Sequence, residues 1–265
     1  PQRSTPLYSS AASDVYKRQF YYFMKNTAII IPTRLEARRF PNKPLAEINS
    51  KPMILHVLNK AKESKVGEVF VATPDKKIFD IVNNNGGIAI LTEKGHPSGS
   101  DRIYEVYSKK LKNNVDLIIN LQGDMPNIDP NTISKLEKLM RDNQCDIGTL
   151  ASPIKDNNEI VDENVVKVKV DETLKEHSFL KAKDFFRIKK VQSSTKIYHH
   201  VGIYCFQPAY LKQYAELGES KQEKIQRLEQ LRIMGKIDIN VGYCDSNPLS
   251  VDTLEDLKRV EREIN

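Results

Sequence analysis

Tryptophan is absent from the 265 residues, and cysteine occurs three times, at Cys145, Cys205 and Cys244. Scattered and odd in number, these thiols form neither a disulfide framework nor a metal-ligand cluster. They read as free thiols of a reducing compartment, the cytoplasm. No apolar run approaches the ~20 residues that cross a bilayer, so membrane insertion is not expected. Lys and Arg number 41 against 35 Asp and Glu, a formal charge of +6. The two signs are interleaved without long blocks, which fits solvated helix faces rather than a nucleic-acid surface. A minority of the cations is left to meet an anionic small molecule. No GxxxxGK[ST] phosphate loop is present, and no solenoid-length repeat.

What is present is a chain with 39% hydrophobic residues, enough for one large α/β domain with a small appended lobe. Residues 1–23 lack periodicity, and Ser9–Gln19 resembles translated sequencing-adapter text. This leader is expected to be non-native or disordered, with the domain running 24–265 from Met24.

Isoleucine-rich Thr27–Pro32 reads as a strand buried on both faces. Further strands are expected at Glu68–Thr73, Ile88–Leu91 and Asp116–Leu121, and helices at Pro52–Ser64, Lys76–Asn84 and Asp101–Leu111. Such short alternation marks βαβ units and a parallel sheet. Ligands then sit beyond the carboxyl ends of the strands, so the loops after Ile31, Leu91 and Leu121 should meet. In the second half, strands are expected at Ile147–Pro153, Val165–Val170, His199–Phe206 and Ile237–Tyr243, with helices at Ser220–Met234 and Thr253–Glu263. Leu174–Thr195 has too weak a pattern to assign.

Five segments carry chemistry. The loop Arg34–Leu45 presents Arg34, Arg38, Arg39 and Lys43 directly after a buried strand, the kind of forked and point charges that hold phosphates; a solvated basic loop explains it equally well. Asp124 in Gln122-Gly123-Asp124-Met125 follows a strand and a glycine that permits close backbone approach. It is placed to hold Mg²⁺ or merely to cap a turn. In Ser98-Gly99-Ser100-Asp101-Arg102 either serine can cap the next helix, whose N-terminus also attracts anions. Asp252 reads as an N-cap, with Glu255 completing a capping box. His199 and His200 enter a strand on opposite faces, so one can face a given site; without spaced partners a zinc site is not expected.

These segments, in this order, resemble the 3-deoxy-manno-octulosonate (Kdo) cytidylyltransferase, or CMP-Kdo synthetase, family. IIIPTRLEARRFPNKPL, SGSDRIYEV, NLQGDMPNIDP, HHVGIYCF, LEQLRIM and VDTLEDLKRV are among the matching stretches. The resemblance implies a nucleotide-diphospho-sugar transferase (GT-A-like) three-layer α/β sandwich, with a smaller β-rich sugar-binding and dimerisation lobe at about residues 150–215. It implies that Arg34, Arg39 and Lys43 hold the triphosphate of CTP, and that Ser98, Gly99 and Arg102 seat the cytidine. Asp124 and Asp252 would bind Mg²⁺, and Gln122, His200 and Glu229 would contact Kdo. The implied reaction is attack of the sugar's anomeric hydroxyl on the α-phosphorus, catalysed by Arg34, Lys43, Asp124 and Asp252. Two features depart from the family pattern. Met125 stands where an acidic residue is common, and no counterpart of a Ser-Arg segment is found in Ser178–Lys190, where Lys181, Lys183 or Arg187 is offered as the sugar carboxylate's partner. Another sugar acid (an acylneuraminate or 8-amino-Kdo) and a silent nucleotide-binding homologue remain alternatives at this point.

Overall fold

The computed structural model describes residues 26–36, 39–156, 158–187, 196–245 and 247–264. The expected leader, Met24 and Arg38 lie outside the described residues. Thr27–Pro32 (β1) leads to a small hairpin, Glu47–Ile48 (β2) and Lys51–Pro52 (β3). Then come Met53–Glu63 (α1), Glu68–Thr73 (β4), Lys76–Asn84 (α2), Ile88–Leu91 (β5), Gly99–Val106 (α3) and Leu117–Asn120 (β6). The alternation expected from the sequence is therefore present, and β5, β4, β1 and β6 pair in parallel.

Both faces of this sheet are covered, as β1 shows most plainly. Ile29 and Ile31 pack with Ile54, Val57 and Leu58 of α1 and with Ile78 and Val82 of α2. Ala28 and Ile30 pack in the other direction, with Ile103 and Val106 of α3. A period of two puts alternate side chains on opposite faces, so an unbroken apolar strand needs helices on both sides. The result is a three-layer sandwich.

The second half continues the same sheet. Its elements are Pro130–Asn143 (α4), Ile147–Ser152 (β7), Asn158–Val161 (α5), Lys167–Val170 (β8), Phe179–Lys181 (β9), Asp184–Phe186 (β10), Lys196–Phe206 (β11), Pro208–Glu216 (α6), Lys221–Gln226 (α7), Ile239–Tyr243 (β12) and Leu254–Ile264 (α8). The main path runs β5-β4-β1-β6-β11-β7-β12-β9. Strand β11 changes partners along its length. Tyr204–Phe206 lie between β6 and β7, whereas Lys196–His199 pair with β8, which pairs in turn with β10. The region expected as a lobe is thus an antiparallel extension of the main sheet. The register shifts between Val201 and Tyr204, an irregularity of the kind that re-aims side chains.

Three local differences from the sequence reading have physical causes. The helix expected at Ser220–Met234 is two pieces. Ser220 and Glu223 cap α7 reciprocally, Arg227 turns left-handed at φ 54°, and Glu229–Arg232 form a separate 3-10 turn. Long-range bonds made by Glu229 and Arg232, described below, override the local helical pattern. Helices α4 and α6 are not among the expected elements, although each opens with proline in its first turn, where a missing N–H costs nothing. The unassigned stretch supplies β9 and β10, three residues each, too short for a period to register.

The last helix matters to the site. Val251, Leu257 and Val260 bury against Ile48 and Met53, each worth about 1.5–3 kcal/mol by area. Val251 N–H donates to Asp124 O at 2.9 Å. This packing and this one bond carry the chain terminus to the exit of β6.

Candidate active site

The loops leaving β1 and β6 touch where sequence spacing places them. A Cβ at Gly123 would stand 3.1 Å from Pro32 O and 3.2 Å from Thr33 Cβ, so glycine lets the β6 exit lie against the β1 exit. Beyond that contact Lys43 Nζ bonds Asp124 Oδ2 at 2.9 Å and Asp252 Oδ1 at 3.2 Å, and Arg39 Nη2 bonds Asp252 Oδ2 at 2.7 Å. Burial works against the Lys43 charge, but the two carboxylates outweigh it and raise its pKa. Lys43 is therefore a fixed cation across the working pH range.

Asp252 is available for this contact because it does not cap the helix. Thr253 Oγ1 accepts from Asp256 N–H, and Asp256 Oδ2 accepts from the N–H groups of Thr253 and Asp252. The capping pair is Thr253 with Asp256, one residue beyond the expected Asp252 and Glu255. The displaced cap leaves the Asp252 carboxylate to face Lys43.

These groups line an open cleft of about 1690 Å³, together with Arg34, Gln122, Arg187 and Glu229. Among the described residues no cluster of three His, Cys, Asp or Glu side chains has metal-ligand spacing. Two carboxylates on a cation-rich cleft suit Mg²⁺, which takes one or two carboxylates and completes its shell with water and substrate phosphate. The donor set fits an ion that is held jointly with a substrate.

Ser98, Gly99 and Arg102 are not among the residues that line the cleft. Ser98 is the N-cap of α3, its Oγ accepting from Asp101 N–H at 3.2 Å and donating to Asp101 Oδ2 at 2.6 Å. Buried Arg102 donates to Thr92 Oγ1 and to Glu93 O at 3.0 Å. Glu105 braces the same loop through Glu93 N–H at 3.0 Å and Lys109 at 2.7 Å. Burial raises the Glu105 pKa, but Lys109, His96 and the Glu93 N–H outweigh that and bring it to about 2. Arg102 thus shapes the loop after β5, and its guanidinium does not line the cleft.

A second pocket of about 250 Å³ adjoins the first; Gln122, Arg187, Arg227 and Glu229 line both. His200, Gly202 and Tyr204 enter it from alternate positions of β11. His200 Nε2 lies 2.9 Å from Thr149 Oγ1, and burial, then His199, pushes its pKa down to about 3. His199 bonds Glu159 on the other side at 2.6 Å, so the two histidines diverge as the strand period requires. Glu229 accepts from Gly99 N–H and Ser100 Oγ, each at 3.3 Å. Burial raises its pKa, opposed by those two donors and by Arg232.

Tyr204 escaped the sequence reading. Its hydroxyl is buried without a hydrogen-bond partner among the described residues, which marks it as a donor for something that enters the pocket. The signal was the period itself, since His200 and Tyr204 share a face across Gly202. Of the three cations offered for a carboxylate, Lys181 pairs with Asp238 and Lys183 with Asp171. Arg187 is the one that lines the pocket, held by the carbonyls of Glu163 at 2.9 Å and Asn164 at 3.2 Å. An apolar hollow of about 890 Å³ lies at the amino ends of β1, β4 and β5, the opposite end from the chemistry.

A doubly covered α/β sheet with phosphate-type cations and paired aspartates at its strand exits defines a nucleotide-handling transferase. The comparisons narrow that class. The profile of the cytidylyltransferase family matches residues 28–239. A 3-deoxy-manno-octulosonate cytidylyltransferase from Brucella canis is 41% identical over 235 residues, covering 88% of this chain and 93% of that protein. A solved structure of CMP:2-keto-3-deoxy-manno-octonic acid synthetase complexed with CTP is 35% identical, with a TM-score of 0.80 over 91% of this chain and 98% of that one. A cytidylyltransferase structure from Leptospira borgpetersenii, 18% identical, shares the fold with a TM-score of 0.59 over 89% of this chain and 85% of its own. The chain belongs to the cytidylyltransferase family.

Proposed function

We propose that the protein transfers the cytidylyl group of CTP to Kdo, giving CMP-Kdo and diphosphate for lipopolysaccharide synthesis. The observation that carries this reading is Lys43 bridging Asp124 and Asp252 in a basic cleft that shares Gln122, Arg187, Arg227 and Glu229 with the small pocket. CTP lies in the cleft and the sugar acid in the pocket, so the two reactants meet where both are lined by Gln122 and Glu229. The sugar's anomeric hydroxyl attacks the α-phosphorus and releases its proton to solvent, and the bond from that phosphorus to the bridging oxygen of diphosphate breaks. Lys43 neutralises the α-phosphate, and Arg34 and Arg39 take up charge on the leaving diphosphate. Asp124 and Asp252 hold Mg²⁺ in this reading, and the ion supplies further neutralisation of phosphate charge. Gln122, neutral His200, Tyr204 and Glu229 orient the sugar hydroxyls, and Arg187 pairs with its carboxylate. Most of the rate then comes from positioning and fixed charge.

On the same family reading the enzyme works in the cytoplasm as a homodimer, which light scattering of the purified protein checks. Among the described residues no helix is long and apolar enough to cross a membrane. The deciding experiment is diphosphate release with CTP, Mg²⁺ and Kdo, run beside UTP and ATP, and beside an acylneuraminate and 8-amino-Kdo. Release with another sugar acid and none with Kdo would reassign the acceptor. No release with any pair would refute the transferase reading.

A further inference from the structure

Arg232 itself lines neither the cleft nor the pocket, and its side chain is fully buried. A buried guanidinium persists when every fork finds an acceptor. Here Nε and Nη2 donate to Glu223 at 2.9 and 2.8 Å, and Nη1 reaches both oxygens of Asp101 at 2.9 and 3.2 Å. The ring of Tyr214 lies 4.4 Å from the guanidinium carbon, and the Tyr214 hydroxyl donates to Glu229 O at 3.2 Å.

The partners belong to two segments distant in sequence, one that the family resemblance assigns to the cytidine and one that carries Glu229. Asp101 lies in the first turn of α3, within Ser98–Arg102, and its carboxylate also accepts from the helix cap Ser98. Arg232 closes the short turn that begins with Glu229. Glu229 in turn accepts from Gly99 N–H and Ser100 Oγ, and Ser100 Oγ accepts from Asn120 Nδ2 at 3.2 Å, which is next to Gln122 along the pocket wall. Segments 130 residues apart are thus joined by charged bonds at Arg232 and by polar bonds at Glu229.

We propose that Arg232 is a positioning residue that couples the two half-sites, fixing the nucleotide loop through Asp101 and the acceptor carboxylate Glu229 through the turn they share. This rests on the functional reading above and on the cytidine seat that the family resemblance implies at Ser98, Gly99 and Arg102, with the CTP phosphates in the cleft and the sugar beside Glu229. The guanidinium fork is essential to it. Lysine would keep the charge and lose the simultaneous bidentate grip on Glu223 and Asp101.

The signature is a crossed effect. Arg232→Lys, altered on the acceptor side, should weaken CTP binding about tenfold by calorimetry without sugar present. Asp101→Asn, altered on the nucleotide side and close to isosteric, should raise KM for Kdo about tenfold with a smaller change in kcat; couplings of this size are ordinary between linked sites. Both are read well below the melting temperature of each variant. Should Arg232→Lys fail to fold, Asp101→Asn carries the test, through KM for Kdo and CTP affinity together. Lower melting with CTP affinity and Kdo KM both within twofold of the unaltered protein would reduce Arg232 to a structural brace and overturn the proposal. Movement of one constant alone would also overturn it, since the residue would then support one half. An unaltered protein that binds CTP but releases no diphosphate with Kdo would refute the functional reading instead, and the CTP affinity of Arg232→Lys would still decide the coupling.

Discussion

Lys43 and Asp124 face each other across a gap that sequence places 81 residues wide. On the proposed reading, replacing either by alanine removes a fixed charge from beside the reacting phosphate. Loss of one such group costs about 10²–10³ in kcat, so Lys43→Ala and Asp124→Ala are each expected to lose that much diphosphate release while circular dichroism stays native. Tyr204→Phe should behave in the opposite way for stability. An unpaired buried hydroxyl costs about 1–3 kcal/mol, so the variant should melt no lower than the parent, while kcat/KM for the sugar falls. A drop in melting temperature with unchanged kinetics would show that the hydroxyl serves the fold. His200 gives a pH test. Its pKa is depressed in the folded state to about 3, from about 6.5 unfolded. The unfolded chain therefore gains a proton first as pH falls through 6.5, and the folded state loses stability relative to it until about pH 3. Between pH 7 and 5 this linkage is worth about 2 kcal/mol. Denaturant midpoints of His200→Gln should decline less steeply over that window than those of the parent.

The decisive element is α8, although it lies outside the sheet. Its reciprocal cap at Thr253 and Asp256 and its apolar face of Leu257 and Val260 hold Asp252 beside Asp124. Thr253→Ala removes an N-cap worth about 1 kcal/mol. It is expected to lower activity more than that loss of stability alone explains, because the aspartate loses its fixed approach. Equal activity at a lowered melting temperature would show that the Val251–Asp124 bond suffices. Strand β11 is the other decisive element. By changing partners midway it delivers His200 and Tyr204 to the pocket, and one residue of slip would turn both away from it.

For the whole molecule, the arrangement is a ten-stranded main sheet whose strand exits gather groups from Arg34 to Asp252. Its two paired carboxylates suit an ion shared with substrate, so removal of Mg²⁺ by EDTA should abolish diphosphate release, and added Mg²⁺ should restore it without refolding. Turnover that persists in EDTA would remove the ion from the reading.

Much of this was legible from the chain alone. Continuous apolar runs and short alternation fixed the parallel core, because a strand covered on both faces can be built in few other ways. The Arg34–Leu45 loop, Gly123-Asp124 and the paired histidines were legible because local chemistry and strand period act over a few residues. Tertiary structure decided what depends on distant partners. It moved the cap from Asp252 to Thr253, broke the helix after Gln226 so that Glu229 and Arg232 could reach α3, and separated Arg187 from Lys181 and Lys183. Among the described residues it also left the Tyr204 hydroxyl without a hydrogen-bond partner inside the pocket. A sequence window records the propensity of a residue, but a buried charge or hydroxyl is settled by whichever partner the fold brings within about 3 Å.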